Sequence, residues 1–231
     1  MEEQNLIQNN TGLEGNRHNH IHVEKDDRVQ RDKAIQWARF FGAGDPYSDI
    51  QWEKRTAKIV RGNGEIVFEQ KDVEVPAFWS QTATDIVASK YFKGQQGTPQ
   101  REWSARQIID RVTETISGWG WNDGYFKGLE DYENFKLDLR WLLINQYTAF
   151  NSPVWFNVGI QEKPQCSACF ILAVDDNMDS ILRWVHDEGW IFKYGSGAGV
   201  NLSALRSSKE PLSKGGKSSG HFFYEGSRWY G

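Results

Sequence analysis

The feature that most constrains this chain is the order of three segments in its second half. The apolar run CFILAV at 169–174 is followed by DSILRWVHDEGWIF at 179–192 and then by GSGAGVNLSALR at 195–206. Six apolar residues without alternation fit a strand buried on both faces. The second segment has apolar positions at helical spacing and reads as an amphipathic helix. The second half therefore opens a β/α pattern, which needs a sheet with helices packed on it.

The first half reads differently. KAIQWARFF at 33–41 is short, apolar and expected to be helical. WEKRTAKIVRGNGEIVFEQ at 52–70 holds two β-prone runs around Gly62-Asn63-Gly64, which supplies the positive φ angles of a tight hairpin turn. Ser80 or Thr82 is a suitable N-cap for a helix ending near Lys90. SARQIIDRVTETISGWGW carries Ile108, Ile109, Val112 and Ile116 near helical spacing, with Gly118 as its expected stop. Asp131 to Tyr147 repeats that pattern through Phe135, Leu139, Leu142 and Leu143. FNSPVWFNVG is apolar and interrupted by Pro153, and the stretch from Ser207 has the composition of a loop. The expected organisation is a disordered polar arm at 1–30, a mainly helical region with a hairpin at 31–147, and a β/α region at 148–231.

Composition removes several classes. With 231 residues, 25% of them charged and 39% hydrophobic, the chain can bury a sizeable core. The 11 Trp make that core ring-rich. A net charge of -4 with no long basic run argues against non-specific nucleic-acid binding. There is no run of 18 apolar residues to span a membrane, and the polar, acidic opening MEEQNLIQNN lacks a signal-peptide core. A cytoplasmic location is expected, where the two Cys would be reduced unless they do redox work.

Several residues are candidates for chemistry, each with a plain alternative. His18, His20 and His22 alternate and would share one strand face, as a metal site needs, but no apolar frame holds them; a solvated tail is the simpler reading. Cys166 and Cys169 form Cys-Ser-Ala-Cys. A thioredoxin-like pair needs a helix N-terminus, whereas Cys169 runs into a strand signal. A zinc site needs four ligands and there is no second Cys pair. In an extended segment residues three apart point to opposite faces, roughly 10 Å apart, so only one thiol would face a site. The plain alternative is that both are small buried hydrophobes. The loop 195–199, GSGAG, lets backbone approach a ligand, yet its third Gly falls one residue early for a dinucleotide fingerprint, and a tight turn is the alternative. Gly216-Lys217-Ser218 is not a P-loop, because Pro211 stands where its first Gly belongs. Arg206, Asp176 and Ser152 read singly as a surface charge, a helix cap and a turn residue.

Together the pieces say more. VPAFWSQTATDIVASKYF, GTPQREWSARQIIDRV, FNSPVWFNVG, KPQCSACFILAVDDNMDSILRW and IFKYGSGAGVNLSALRSSKE resemble, in order and spacing from about Trp52 to Gly220, the N-terminal region of class II, adenosylcobalamin-dependent ribonucleotide reductases. The resemblance implies an α/β fold in which a helical N-terminal region precedes the opening strands of a ten-stranded α/β barrel. It implies reduction of a ribonucleotide by cobalamin-initiated thiyl radical chemistry, with two further cysteines as reductant. Ser167-Ala168-Cys169 matches the motif of the first of these, so Cys169 is implied as a reducing thiol and Cys166 as a structural one. By the same matching, Ser152, Ala168 and Gly197 face substrate, and Asp176 and Arg206 bind a deoxynucleotide effector. The implied partners are a ribonucleotide, a thioredoxin-like reductant, and the remainder of the barrel or a second polypeptide.

Two departures qualify the match. The family's radical-forming Cys, its neighbouring Asn and Glu, and the second redox Cys lie in later strands, whereas this sequence holds two Cys in one motif. His221 to Gly231 follows the family pattern only loosely, as a truncated, split or frameshifted gene would. The expectation is that this chain alone is inactive. The competing expectation is a non-catalytic nucleotide-binding or assembly module.

Overall fold

A computed structural model describes residues 31–211 and 215–217. The polar arm with its three alternating histidines, and the segment 221–231, lie outside the described residues. The chain divides into two compact units, Met1–Ala149 and Phe150–Gly231.

In the first unit, β1 (Trp52–Val60) and β2 (Ile66–Pro76) form the expected antiparallel hairpin. Of the turn residues Gly62, Asn63 and Gly64, only Gly64 takes a positive φ, 85°. Ser80 caps α1 (Gln81–Ile86) by accepting from Ala83 N at 3.0 Å. The helix then widens into one π turn, Val87–Tyr91, closed by Phe92 N donating to Val87 O. Arg55 ties hairpin to helix: its Nη2 donates to Ala77 O at 2.9 Å and its Nη1 to Thr84 Oγ1 at 3.2 Å.

The long helices α2 (Ala105–Asn122) and α3 (Leu129–Ile144) pack on each other. Ser104 and Gln107 form a reciprocal cap at the start of α2, with Arg106 N on Ser104 Oγ and Ser104 N on Gln107 Oε1. Gly118 does not stop α2. The helix continues past it because Gly120 and Trp121 are buried, and a Cβ on Gly120 would meet Phe126 Cε2 at 2.8 Å. The stop is Gly124, at φ 78°. Trp121, Phe126 and Tyr132 form an aromatic core there with Phe135 against it.

The segment 33–41 is not helical. Carboxylates on α3, half-buried Asp131 and fully buried Asp138, take the backbone N–H groups that a helix would use internally. Trp37 N donates to Asp131 Oδ1 at 2.7 Å, and Phe40 N and Phe41 N donate to Asp138 at 2.9 and 3.1 Å. Ile35 meanwhile pairs with Phe126 as an isolated bridge. Propensity loses here to tertiary hydrogen bonds.

The second unit holds α4 (Ser152–Asn157), β3 (Cys169–Ala173), α5 (Met178–Lys193) and β4 (Gly197–Asn201). β3 and β4 pair in parallel, with Cys169 opposite Gly197 and Ala173 opposite Asn201. α5 is the crossover between them, as parallel pairing requires. Ten strands are not seen: the described residues show two sheets of two strands each. No helix among the described residues is long and apolar enough to cross a membrane.

Candidate functional site

The second unit gives its two-stranded sheet two unlike faces. Leu172 and Val200 pack with Leu202 on the buried cluster Val174, Ile181, Trp184 and Leu205, so α5 covers that side. Cys169, Ile171 and Ala173 of β3 and Gly197, Gly199 and Asn201 of β4 alternate onto the other side, and all six are exposed. Ile171 is 93% exposed. The run 169–174 is therefore not buried on both faces within this unit; only one face has a helix against it among the described residues. The glycines of GSGAG also differ from expectation. Gly197 and Gly199 lie in β4 rather than in a loop. A Cβ on Gly197 would stand 3.7 Å from Ala168 O, an ordinary contact, so sterics do not demand glycine there. What glycine does is leave the surface beside Cys169 free of side chains.

The two thiols occupy different environments. Both are free. Cys169 is exposed at the first position of β3, facing outward beside Gly197. Cys166 lies in the preceding segment, partly buried, with its Sγ 3.7 Å from Pro164 O, and burial pushes its thiol pKa up. Less thiolate and less access both lower its reactivity.

Hydrogen bonds fix the segments that lead into both strands. Gly197 N donates to Ala168 O at 2.7 Å. Ser196 Oγ donates to Ser167 O at 2.6 Å and accepts from Gln165 Nε2 at 2.5 Å. Gln165 Nε2 also donates to Ser167 O at 2.7 Å, and Asn157 Nδ2, at the end of α4, donates to Gln165 O at 2.8 Å. Gln165 Oε1 is buried without a hydrogen-bond partner among the described residues. Ser152 stands at the first position of α4, whose cap is Asn151, accepting from Val154 N. It is thus a helical residue rather than a turn residue.

Asp176 and Arg206, 30 residues apart, meet: Arg206 Nε donates to Asp176 Oδ2 at 2.5 Å, with both side chains partly exposed. Arg206 is accordingly not a lone surface charge. Asp176 is not the cap of α5 either, because Asn177 takes that place by accepting from Ser180 N at 2.9 Å. The pair follows the far ends of β3 and β4. Cys169 and Gly197 open those strands, so four residue steps of about 3.3 Å, roughly 13 Å of strand, separate the two ends. The structure thus groups Ala168, Cys169 and Gly197 at one end of the sheet and Asp176 with Arg206 beyond the other.

Nothing local in the sequence marks Asn157 and Gln165 as the frame around the thiol strand, and Ser196 stands out only as part of the 195–199 segment. Asn201, on the exposed face, was equally silent. Amides and hydroxyls carry no periodicity, and their partners here lie up to 31 residues away. No group of three or more His, Cys, Asp or Glu side chains placed to hold a metal ion occurs among the described residues. Among the described residues, the small residues, amides and hydroxyls around Cys169 form no ligand set for a cobalt cofactor.

Comparison with known proteins sorts these observations. Residues 53–146 match the model of the class II vitamin B12-dependent ribonucleotide reductase N-terminal domain, and residues 167–224 match the ribonucleotide reductase barrel domain. The chain is 53% identical over 176 residues to the vitamin B12-dependent ribonucleotide reductase of Streptomyces coelicolor, covering 76% of this chain and 18% of that protein. It is 48% identical over 204 residues to the enzyme of the same name from Rhodopirellula baltica, covering 76% and 20%. A more distant relative is the ribonucleoside-diphosphate reductase subunit alpha of Bacillus subtilis, 32% identical over 109 residues, covering 46% and 15%. The chain spans about a fifth of the length of the vitamin B12-dependent relatives. Both domain matches and both close relatives agree, and the chain belongs to the class II, vitamin B12-dependent ribonucleotide reductase family.

Proposed function

We propose that this chain forms part of an adenosylcobalamin-dependent ribonucleoside-diphosphate reductase, with Cys169 as one of its two reducing thiols. The observation that carries this reading is the placement of Cys169. It is exposed, opens β3, and stands beside the side-chain-free backbone of Gly197 on the sheet face away from α5. In the reaction, the ribose 2′-hydroxyl leaves as water and is replaced by hydrogen. Two electrons and two protons come from a dithiol, which ends as a disulfide, so that Cys169 is oxidised together with a second thiol. A thioredoxin-like protein then reduces that disulfide.

In this reading β3 and β4 are opening strands of a ten-stranded α/β barrel, whose remainder or a second polypeptide covers the exposed face. A parallel sheet is stable only when both faces are covered, which supports that role. Ser152 holds substrate phosphate, and the backbone at Ala168 and Gly197 lies along the nucleotide. Asp176 and Arg206 hold a deoxynucleotide effector at the opposite end of the sheet, and the enzyme works in the cytoplasm.

The test is a single turnover of the assembled, pre-reduced reductase without external reductant, followed by mass mapping of disulfides. Cys169 is expected in the new disulfide and Cys166 as a free thiol. A new disulfide that omits Cys169 would overturn the assignment.

A further inference from the structure

Three segments implicated in the proposed function are cross-linked by one partly buried polar cluster: the end of α4, the lead into β3 and the lead into β4. Asn157 of α4 reaches Gln165 O, Gln165 Nε2 reaches Ser196 Oγ and Ser167 O, and Ser196 Oγ reaches Ser167 O. Ser196 and Asn157 are each only 7% exposed. Immediately after Ser196 and Ser167 comes the Gly197 N to Ala168 O bond, and the next step is the Cys169–Gly197 register pair.

We infer that Ser196, with Gln165, is a positioning residue for the reducing thiol: it fixes the spacing between the segment that ends in Cys169 and the segment that opens β4. Two features argue for this over ordinary loop packing. The hydroxyl and the amide converge on the same carbonyl, Ser167 O, two residues before the thiol. The orientation of the Gln165 amide is set by two donors from one nitrogen, and turning it over would place its oxygen against Ser167 O. A carbonyl held by two converging donors cannot rotate without breaking both, so the strand start beyond it is fixed. Reaction rates are sensitive to such placement, since a displacement of about 1 Å remote from the chemistry can cost about a hundredfold.

This inference rests on the reading of Cys169 as a reducing thiol, and its test keeps the two apart. Ser196→Ala, Ser196→Thr and the same-volume Gln165→Glu are made in the full chain. Amide exchange of Gly197 is followed against α5 amides such as that of Trp184. Ser196→Ala and Gln165→Glu are expected to speed Gly197 exchange about tenfold or more, the equivalent of one buried hydrogen bond, with α5 unchanged; Ser196→Thr, which keeps the hydroxyl, restores it. In the assembled reductase the same two variants are expected to lower kcat about tenfold or more, with Ser196→Thr again restoring it. Unchanged Gly197 exchange, a uniform rise across the unit, or a local rise with kcat unchanged overturns the inference. If Cys169→Ser itself retains full turnover while Gly197 exchange responds as expected, the thiol assignment fails and the clamp is left without its catalytic role.

Discussion

Asp138 offers the sharpest quantitative handle on the first unit. Its carboxylate is 2% exposed and accepts from Trp37 Nε1 at 3.0 Å, from Phe40 N at 2.9 Å and from Phe41 N at 3.1 Å. Arg39 Nε approaches it at 3.2 Å. Asp138→Ala removes every acceptor at once and leaves a mostly buried guanidinium and two backbone donors without their carboxylate. Breaking a buried pair by removing one partner costs about 3–5 kcal/mol. For a chain of this size about 1 kcal/mol shifts Tm by roughly 2–4 °C, so a fall on the order of 10 °C is expected. Asp138→Asn keeps the volume and one acceptor and should lose roughly half as much. Glu65, whose pairing with Arg61 is largely exposed, is the control, and its Ala variant should change stability by less than about 0.5 kcal/mol. Urea unfolding followed by far-ultraviolet circular dichroism measures all three. A loss below about 1 kcal/mol for Asp138→Ala would refute the claim that α3 carboxylates hold the 33–41 segment out of a helix.

Other consequences are as direct. Gly120→Ala should cost about 1–3 kcal/mol, because the new methyl meets Phe126 Cε2 at 2.8 Å, whereas Gly62→Ala meets nothing within 4 Å; equal unfolding midpoints would show the packing to be wrong. Alkylation at mildly alkaline pH should modify Cys169 before Cys166, since Cys166 is less accessible and burial raises its thiol pKa; the reverse order in peptide mapping would contradict the placement of both. Tyr132 is pushed up to about 12 by burial and by Glu133 and Glu114, against about 10 in the unfolded chain. A group with a raised folded pKa stabilises fully below its unfolded pKa and loses that contribution as pH rises, so stability should fall between about pH 10 and about pH 12. Phenolate absorbance showing every tyrosine ionised near pH 10 in the folded chain would exclude this. Asp176→Asn and Arg206→Ala should each weaken deoxynucleotide binding by the assembled reductase, measured by calorimetry; unchanged affinity would remove both residues from an effector site.

Local chemistry made much of the architecture legible. The Gly-Asn-Gly turn between β-prone runs located the hairpin, Ser80 marked a helix start through a cap that forms within four residues, and the amphipathic period located α5. What failed was long-range. KAIQWARFF has no local feature announcing that Asp131 and Asp138, some hundred residues on, would claim its N–H groups. Gly118 reads as a stop because the burial of Gly120 and Trp121 beyond it cannot be seen locally. GSGAG reads as a loop because glycine has no strand preference, yet Gly197 and Gly199 lie on the exposed face of β4. For the site, spacing alone left Cys166 and Cys169 equivalent. The resemblance singles out Cys169, and the structure separates the two thiols at the strand boundary, one exposed on the open face and the other partly buried before the strand begins. The Asp176–Arg206 pair was reachable only through resemblance, since neither residue is distinctive alone.

In the proposed reading Cys169, and not Cys166, reduces substrate. Steady-state turnover of the assembled reductase carrying Cys169→Ser or Cys166→Ser, with the thioredoxin-like reductant present, tests it most directly. Cys169→Ser is expected to abolish sustained turnover and Cys166→Ser to leave it within about a factor of three, since Cys166 lies before the strand, off its open face. Full turnover by Cys169→Ser, or its loss in Cys166→Ser alone, would contradict it.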